Sequence, residues 1–255
     1  MSKKLPAVST VAQALVAGLK GGYGNLGLSA LHSAIWFVTH IPFWIVLFSA
    51  WNNISAGFPG NEQLEPLPWI PLVIMLILTG ALLAAPANAA MLHVVKTARE
   101  DEARVRDFFI GLKRYFLRAA SVYTVFLFVL ALLIANMAAA VRLKSWFSLL
   151  SLVFTLYAGL FVLTLSNYLF PLMVFQPNTV RKIWKKAALL TLDNGFLTVF
   201  FSLVTLVLYV LSGVFPILLV LFYPAALGYM HHHLFSSLLD KYEENGVDQE
   251  AVEVE

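Results

Sequence analysis

The sequence predicts an all-α fold: a polytopic membrane bundle of six transmembrane helices with short amphipathic cytoplasmic helices. Three observations predict it. Of the 255 residues, 60% are hydrophobic and only 12% are charged, against roughly 25% charged in soluble domains. Several apolar runs approach or exceed the ~20 residues that cross a bilayer. Basic residues also gather in alternate connections, as the positive-inside rule requires of a multi-pass chain. The chain has no cysteine, which excludes disulfides and thiolate metal or iron–sulfur sites.

Residues 1–26 read as a cytoplasmic N-terminal segment. Lys3 and Lys4 begin it, and "LPAVSTVAQALVAGLKGGYG" is too polar and broken for a signal-peptide core. Val8, Val11, Leu15 and Leu19 recur at helical spacing, which predicts a short helix on the inner membrane surface. The membrane domain is expected over 27–239. Its spans are placed near Leu28–Ala50, Leu67–Met91, Ala119–Val141 and Phe147–Phe175. The apolar run from Gly195 to Leu239 is too long for one crossing at 1.5 Å per residue. Gly213 and Pro216 in "LSGVFP" supply turn punctuation near its middle, so it is divided into two spans. Residues 240–255 form an expected disordered, acidic cytoplasmic tail, with seven acids against Lys241.

Charge orients this topology. With six spans, the N-terminus, residues 92–118, residues 176–194 and the C-terminus hold 15 of the 17 Lys and Arg. Only Arg142 and Lys144 fall outside, and the outer loop at 51–68 has no basic residue. Both termini are therefore expected in the cytoplasm. Five spans, with the tail outside, is the alternative if 195–239 crosses once.

Few residues suggest chemistry. His231, His232 and His233 are consecutive and fan over ~200° of a helix. They would need His93 or another element to bind a metal. Interfacial anchoring is the favoured reading, ahead of a pH-responsive role or a metal site. Pro86, within "LLAAPANAAM", frees a helix carbonyl, and Asn88 is placed to satisfy it. A packing kink is favoured there over an opened binding site. Asn136 and Asn167 are buried-polar candidates needing partners on other helices. Asp193 or Asn194 is expected to cap the fifth span.

The connection at 95–118 alternates in charge, predicting a solvated helix with Glu100–Arg104 and Glu102–Arg106 pairs. Phe108, Phe109, Leu112 and Phe116 then combine with Lys113, Arg114 and Arg118 as an amphipathic surface for anionic lipid or a cytoplasmic partner. Lys185 and Lys186 begin a similar basic entry to the fifth span. No Walker, nucleophile-elbow, zincin or dinucleotide fingerprint is present. No catalytic, cofactor or metal site and no nucleic-acid partner is expected.

These segments also carry a resemblance. Ala85-Pro86-Ala87-Asn88-Ala89-Ala90, then Phe109, Lys113 and Phe116, and finally Lys185, Lys186, Ala187, Leu189, Leu190 and Asn194 are similar to motifs of the YesL-like family. That is a family of bacterial integral membrane proteins of unknown function. Ala85 and Asn88 stand where the family has Gly and Thr. The resemblance implies the bacterial cytoplasmic membrane and an accessory or scaffold role beside a carbohydrate ABC-type uptake system, contacting its sugar permease. The alternative is a small transporter for a neutral polar solute, with Pro86, Asn88, Asn136 and Asn167 along its pathway. A membrane enzyme ranks below both, because it would need His93 and the histidine run to converge.

Overall fold

A computed structural model describes residues 7–24, 26–57, 69–143 and 145–244. Within them the chain is helical: α1 (Ala7–Gly24), α2 (Leu26–Gly57), α3 (Trp69–Thr79), α4 (Ala85–Glu100), α5 (Val105–Leu143), α6 (Trp146–Val174), α7 (Val180–Asp193), α8 (Gly195–Val214), α9 (Pro216–Leu221) and α10 (Tyr223–Glu244). A π-helical turn, Gly80–Ala84, joins α3 to α4. Lys3, Lys4, Lys144, residues 58–68 of the outer loop and the tail beyond 244 lie outside the described residues.

Five stretches are long and apolar enough to cross a membrane: Leu26–Asn52, Pro71–Glu100, Val105–Arg142, Trp146–Val174 and Gly195–Val214. That architecture is consistent with a multi-pass membrane protein. The run after Val214 does not add a sixth unbroken helix. It breaks at Phe215, where Gly213 and Pro216 lead the sequence to expect a turn, and again at Phe222. Pro224, lacking an amide hydrogen, sits in the first turn of α10 and restricts the residue before it. The chain nevertheless doubles back. Tyr209 meets Tyr223, Phe201 meets His231 and Asp193 meets Lys241, so α10 descends antiparallel to α8.

The core lies where α4 passes among its neighbours. Ala84, Ala85, Ala87, Ala89 and Ala90 are almost wholly buried, and such small residues permit the close helix approach that drives packing in lipid. Pro86 follows the π turn, in which the Ala85 amide donates to the Gly80 carbonyl. The wider turn takes up the backbone mismatch that a proline ring imposes on the preceding residues. Gly80 itself lies against α5, because a Cβ there would stand 2.7 Å from Leu127 Cδ1 and 3.1 Å from Tyr123 Cε1.

Local chemistry sets the helix ends. Ser145 and Ser148 form a reciprocal capping box at the start of α6. Asp107 reaches back to accept from the Arg104 amide at 2.7 Å, starting α5. The Ala225 amide, free in the first turn of α10, donates to Ser33 Oγ of α2 at 3.3 Å.

Three expectations are corrected. The helix stops at Glu100 and restarts at Val105, so the Glu100–Arg104 and Glu102–Arg106 pairs do not lie on one helix. The packed stripe of α1 is Thr10, Val11, Ala14, Gly18 and Gly22; of the predicted apolar face, Val11 and Leu15 pack into the core while Val8 and Leu19 are exposed. Close packing decides this, since Gly18 lies on Met230 and Ala226, and Gly22 on Phe222. α1 thus runs antiparallel along α10, and Val11 and Ala14 join the main core. Finally, α10 continues to Glu244, past the expected boundary at 239, because Lys241 is packed and bonded.

Candidate functional site

The residues singled out in the sequence fall into separate places. Asn88 Oδ1 accepts from Trp36 Nε1 at 2.8 Å, joining α4 to α2. Trp36 stacks on His40 with centroids 3.7 Å apart. His40 Nδ1 donates to the Trp36 carbonyl at 2.8 Å. Asn136 Nδ2 donates to Ser151 Oγ at 3.1 Å and Thr155 Oγ1 at 2.6 Å, joining α5 to α6. Asn167 Nδ2 donates to Ser202 Oγ at 2.7 Å, joining α6 to α8. Tyr168 and Thr198 exchange a hydrogen bond of 2.7 Å along that same seam. The three asparagines therefore serve three different helix seams.

The histidine run does not converge. His231 Nδ1 donates to the Leu227 carbonyl at 2.9 Å, and its ring meets the Phe201 ring at a steep angle. His232 packs on Phe175 of the loop after α6, and His233 Nδ1 lies 3.2 Å from Ser237 Oγ. His93 packs against Tyr115, with ring centroids 5.7 Å apart. Its buried Nδ1 has no hydrogen-bond partner among the described residues. Among the described residues no group of three or more His, Asp or Glu is arranged to hold a metal.

The basic residues on α5 remain accessible, as do two of the four on α7. Lys113, Arg114 and Arg118 are exposed on α5 beside exposed Phe109, and Phe116 is half-buried. The Arg114 guanidinium stands over the Tyr115 ring at 5.6 Å. On α7, Ile183, Ala187 and Thr191 face inward while Arg181 and Lys185 are exposed. Lys186 is half-buried and donates to Gln176 Oε1 at 3.1 Å. That bond closes the loop in which buried Asn178 donates to the Leu172 carbonyl.

Two constructions were not anticipated from the sequence. His32, 1% exposed, places Nε2 3.2 Å from the Arg104 carbonyl and stacks on Phe108, tying α2 to the turn before α5. The second corrects the capping expectation. Neither Asp193 nor Asn194 caps α8 with its side chain. Instead Lys241 Nζ donates to Asp193 Oδ2 and Asn194 Oδ1, each at 2.8 Å. Tyr242 Oη donates to the same Asp193 oxygen and accepts from Asn194 Nδ2 at 2.9 Å. The hydrogen bonds from Lys241 and Tyr242 hold the Asp193 carboxyl below its ordinary value. Burial, aided by that carboxylate, pushes the Tyr242 phenol up. The only sequence signal was a lone lysine inside an acidic tail.

Comparison of the chain with protein-family models, curated proteins and solved structures gave no match.

Proposed function

We propose that the protein is a non-enzymatic accessory or scaffold subunit of the bacterial cytoplasmic membrane, associated with a carbohydrate ABC-type permease. One observation carries the reading: Asn88, Asn136 and Asn167 are each bonded across a separate helix seam, whereas Lys113, Arg114 and Arg118 of α5 and Arg181 and Lys185 of α7 are exposed. A seam holds helices together; an exposed basic surface recruits something else. The resemblance to the YesL-like family supports the permease as partner.

In this reading α9 and α10 together form the sixth crossing, returning the chain to the side from which α8 leaves. The Asp193–Lys241 contact supports that return. α7 lies at the cytoplasmic surface as an amphipathic helix, and both termini are cytoplasmic because 15 of 17 basic residues then face inward. The partner docks on α7, which exposes Arg181, Lys185 and Leu189.

Gentle-detergent purification from native membranes, with mass spectrometry of what accompanies the protein, tests this. A stoichiometric permease lost on Arg181→Glu with Lys185→Glu is the expected result. A partner-free protein at native expression would end the reading. The transporter for a neutral polar solute is favoured only by the π turn, Pro86 and the Asn88–Trp36–His40 group. Reconstituted flux that falls on Asn88→Ala would place it first.

A further inference from the structure

The exposed basic residues of α5 are not a separate cytoplasmic helix. They begin a single 39-residue helix that runs into the third span. At 100° per residue, Lys113, Arg114, Leu117 and Arg118 fall on one side, and Val125 and Phe128 continue that side toward the middle of the span. All six are exposed, Leu117 to 79%. The opposite side, with Phe108, Tyr115, Ala119 and Val122, is the one buried in the bundle.

Two details are in keeping with a bilayer on this side. Ser121 and Thr124 lie on it, and each hydroxyl is returned to its own helix, to the Leu117 and Ala120 carbonyls at 2.8 Å. No hydroxyl hydrogen is left unbonded toward hydrocarbon, as a bilayer surface requires. Asp107, the one acid of α5, is directed to the Arg104 amide and leaves the three cations unopposed on their own turns. The α7 cations differ. The side of α7 that bears Arg181 and Lys185 also exposes Leu189 and Leu192. The helix ends at Asp193 and the chain bends at Asn194, so that apolar stretch stops about 11 Å beyond Lys185, short of an acyl chain.

We propose that this side of α5 is a binding site for an anionic phospholipid of the inner leaflet. Its phosphate sits among Lys113, Arg114 and Arg118, and an acyl chain lies along Leu117, Val125 and Phe128. From Leu117 to Phe128 the helix rises about 16 Å, close to the reach of one acyl chain. The proposal rests on the membrane-spanning reading and its orientation, and not on the permease partner.

The test is lipid retention by the purified full chain, exchanged into bilayer discs of equal parts phosphatidylcholine and phosphatidylglycerol and read by native mass spectrometry. Wild type should retain phosphatidylglycerol in preference. Replacing Lys113, Arg114 and Arg118 by Gln should lower that preference by roughly fivefold per charge. Arg114→Lys with Arg118→Lys should keep most of it, and Arg181→Gln with Lys185→Gln should keep all of it. Equal retention by the triple variant, or equal loss from the α7 variant, would overturn the site. Because no permease is present, the result stands whether or not the accessory reading does.

Discussion

Asn88 shows how one side chain can matter in a bundle without being a reaction centre. Its carbonyl oxygen accepts the Trp36 indole hydrogen, and Trp36 carries the His40 ring in turn. Asn88→Leu should cost about 1 kcal/mol, read as a lower melting temperature in detergent. The sequence marked Asn88 but not the indole, because the two are 52 positions apart and only helix packing joins them. Asp193 permits a pH prediction. A carboxyl held low in the fold binds protons more readily once unfolded. Its contribution is complete above about pH 4 and disappears as pH falls through the lowered value. Its side chain is half exposed, so the contribution should be no more than about 1 kcal/mol. Melting followed between neutral and acid pH should show this loss, and Asp193→Asn should abolish that portion of the pH dependence.

At the scale of elements, the apolar spacing of α1 names only part of its packed face. Apolar spacing pointed to Val8, Val11, Leu15 and Leu19; Val11 and Leu15 do pack, but the side laid on α10 is completed by Ala14, Gly18 and Gly22 rather than by Val8 and Leu19. In a lipid-soluble bundle, close backbone approach can outweigh the attraction of larger apolar side chains, since lipid covers those equally well. Gly18→Leu should therefore push α1 off Met230, costing about 1–3 kcal/mol as an overpacking defect. A drop in thermal stability, with increased protease access to α1, would register it. α4 was read more successfully. Pro86 announced a break in regularity, and alanines announced close packing. That the break takes the form of a π turn depends on Gly80 lying against Tyr123 and Leu127, which no local pattern states.

The whole molecule can be tested cleanly because the native chain has no cysteine. With six crossings, Ala103→Cys and Glu243→Cys should both react with a membrane-impermeant maleimide only after the cytoplasm is opened. Asn61→Cys should react in intact cells. Labelling of Glu243→Cys from outside would restore the five-span alternative.

What the sequence alone determined is the solvent and the secondary structure. Long apolar runs between basic connections admit helices in a bilayer and little else, because backbone groups in hydrocarbon must bond within their own segment. It also marked the break near Gly213 and Pro216 and the basic connections around α5 and α7. Tertiary structure alone decided which polar groups meet. The Lys241 clamp on Asp193, the Ser33 cap on α10, the separation of Asn88, Asn136 and Asn167, and the scattering of His231–His233 are all outcomes of helix placement. Hydropathy is nearly blind to that placement: lipid and protein interior are equally apolar, so the choice rests on shape and on hydrogen bonds between distant residues.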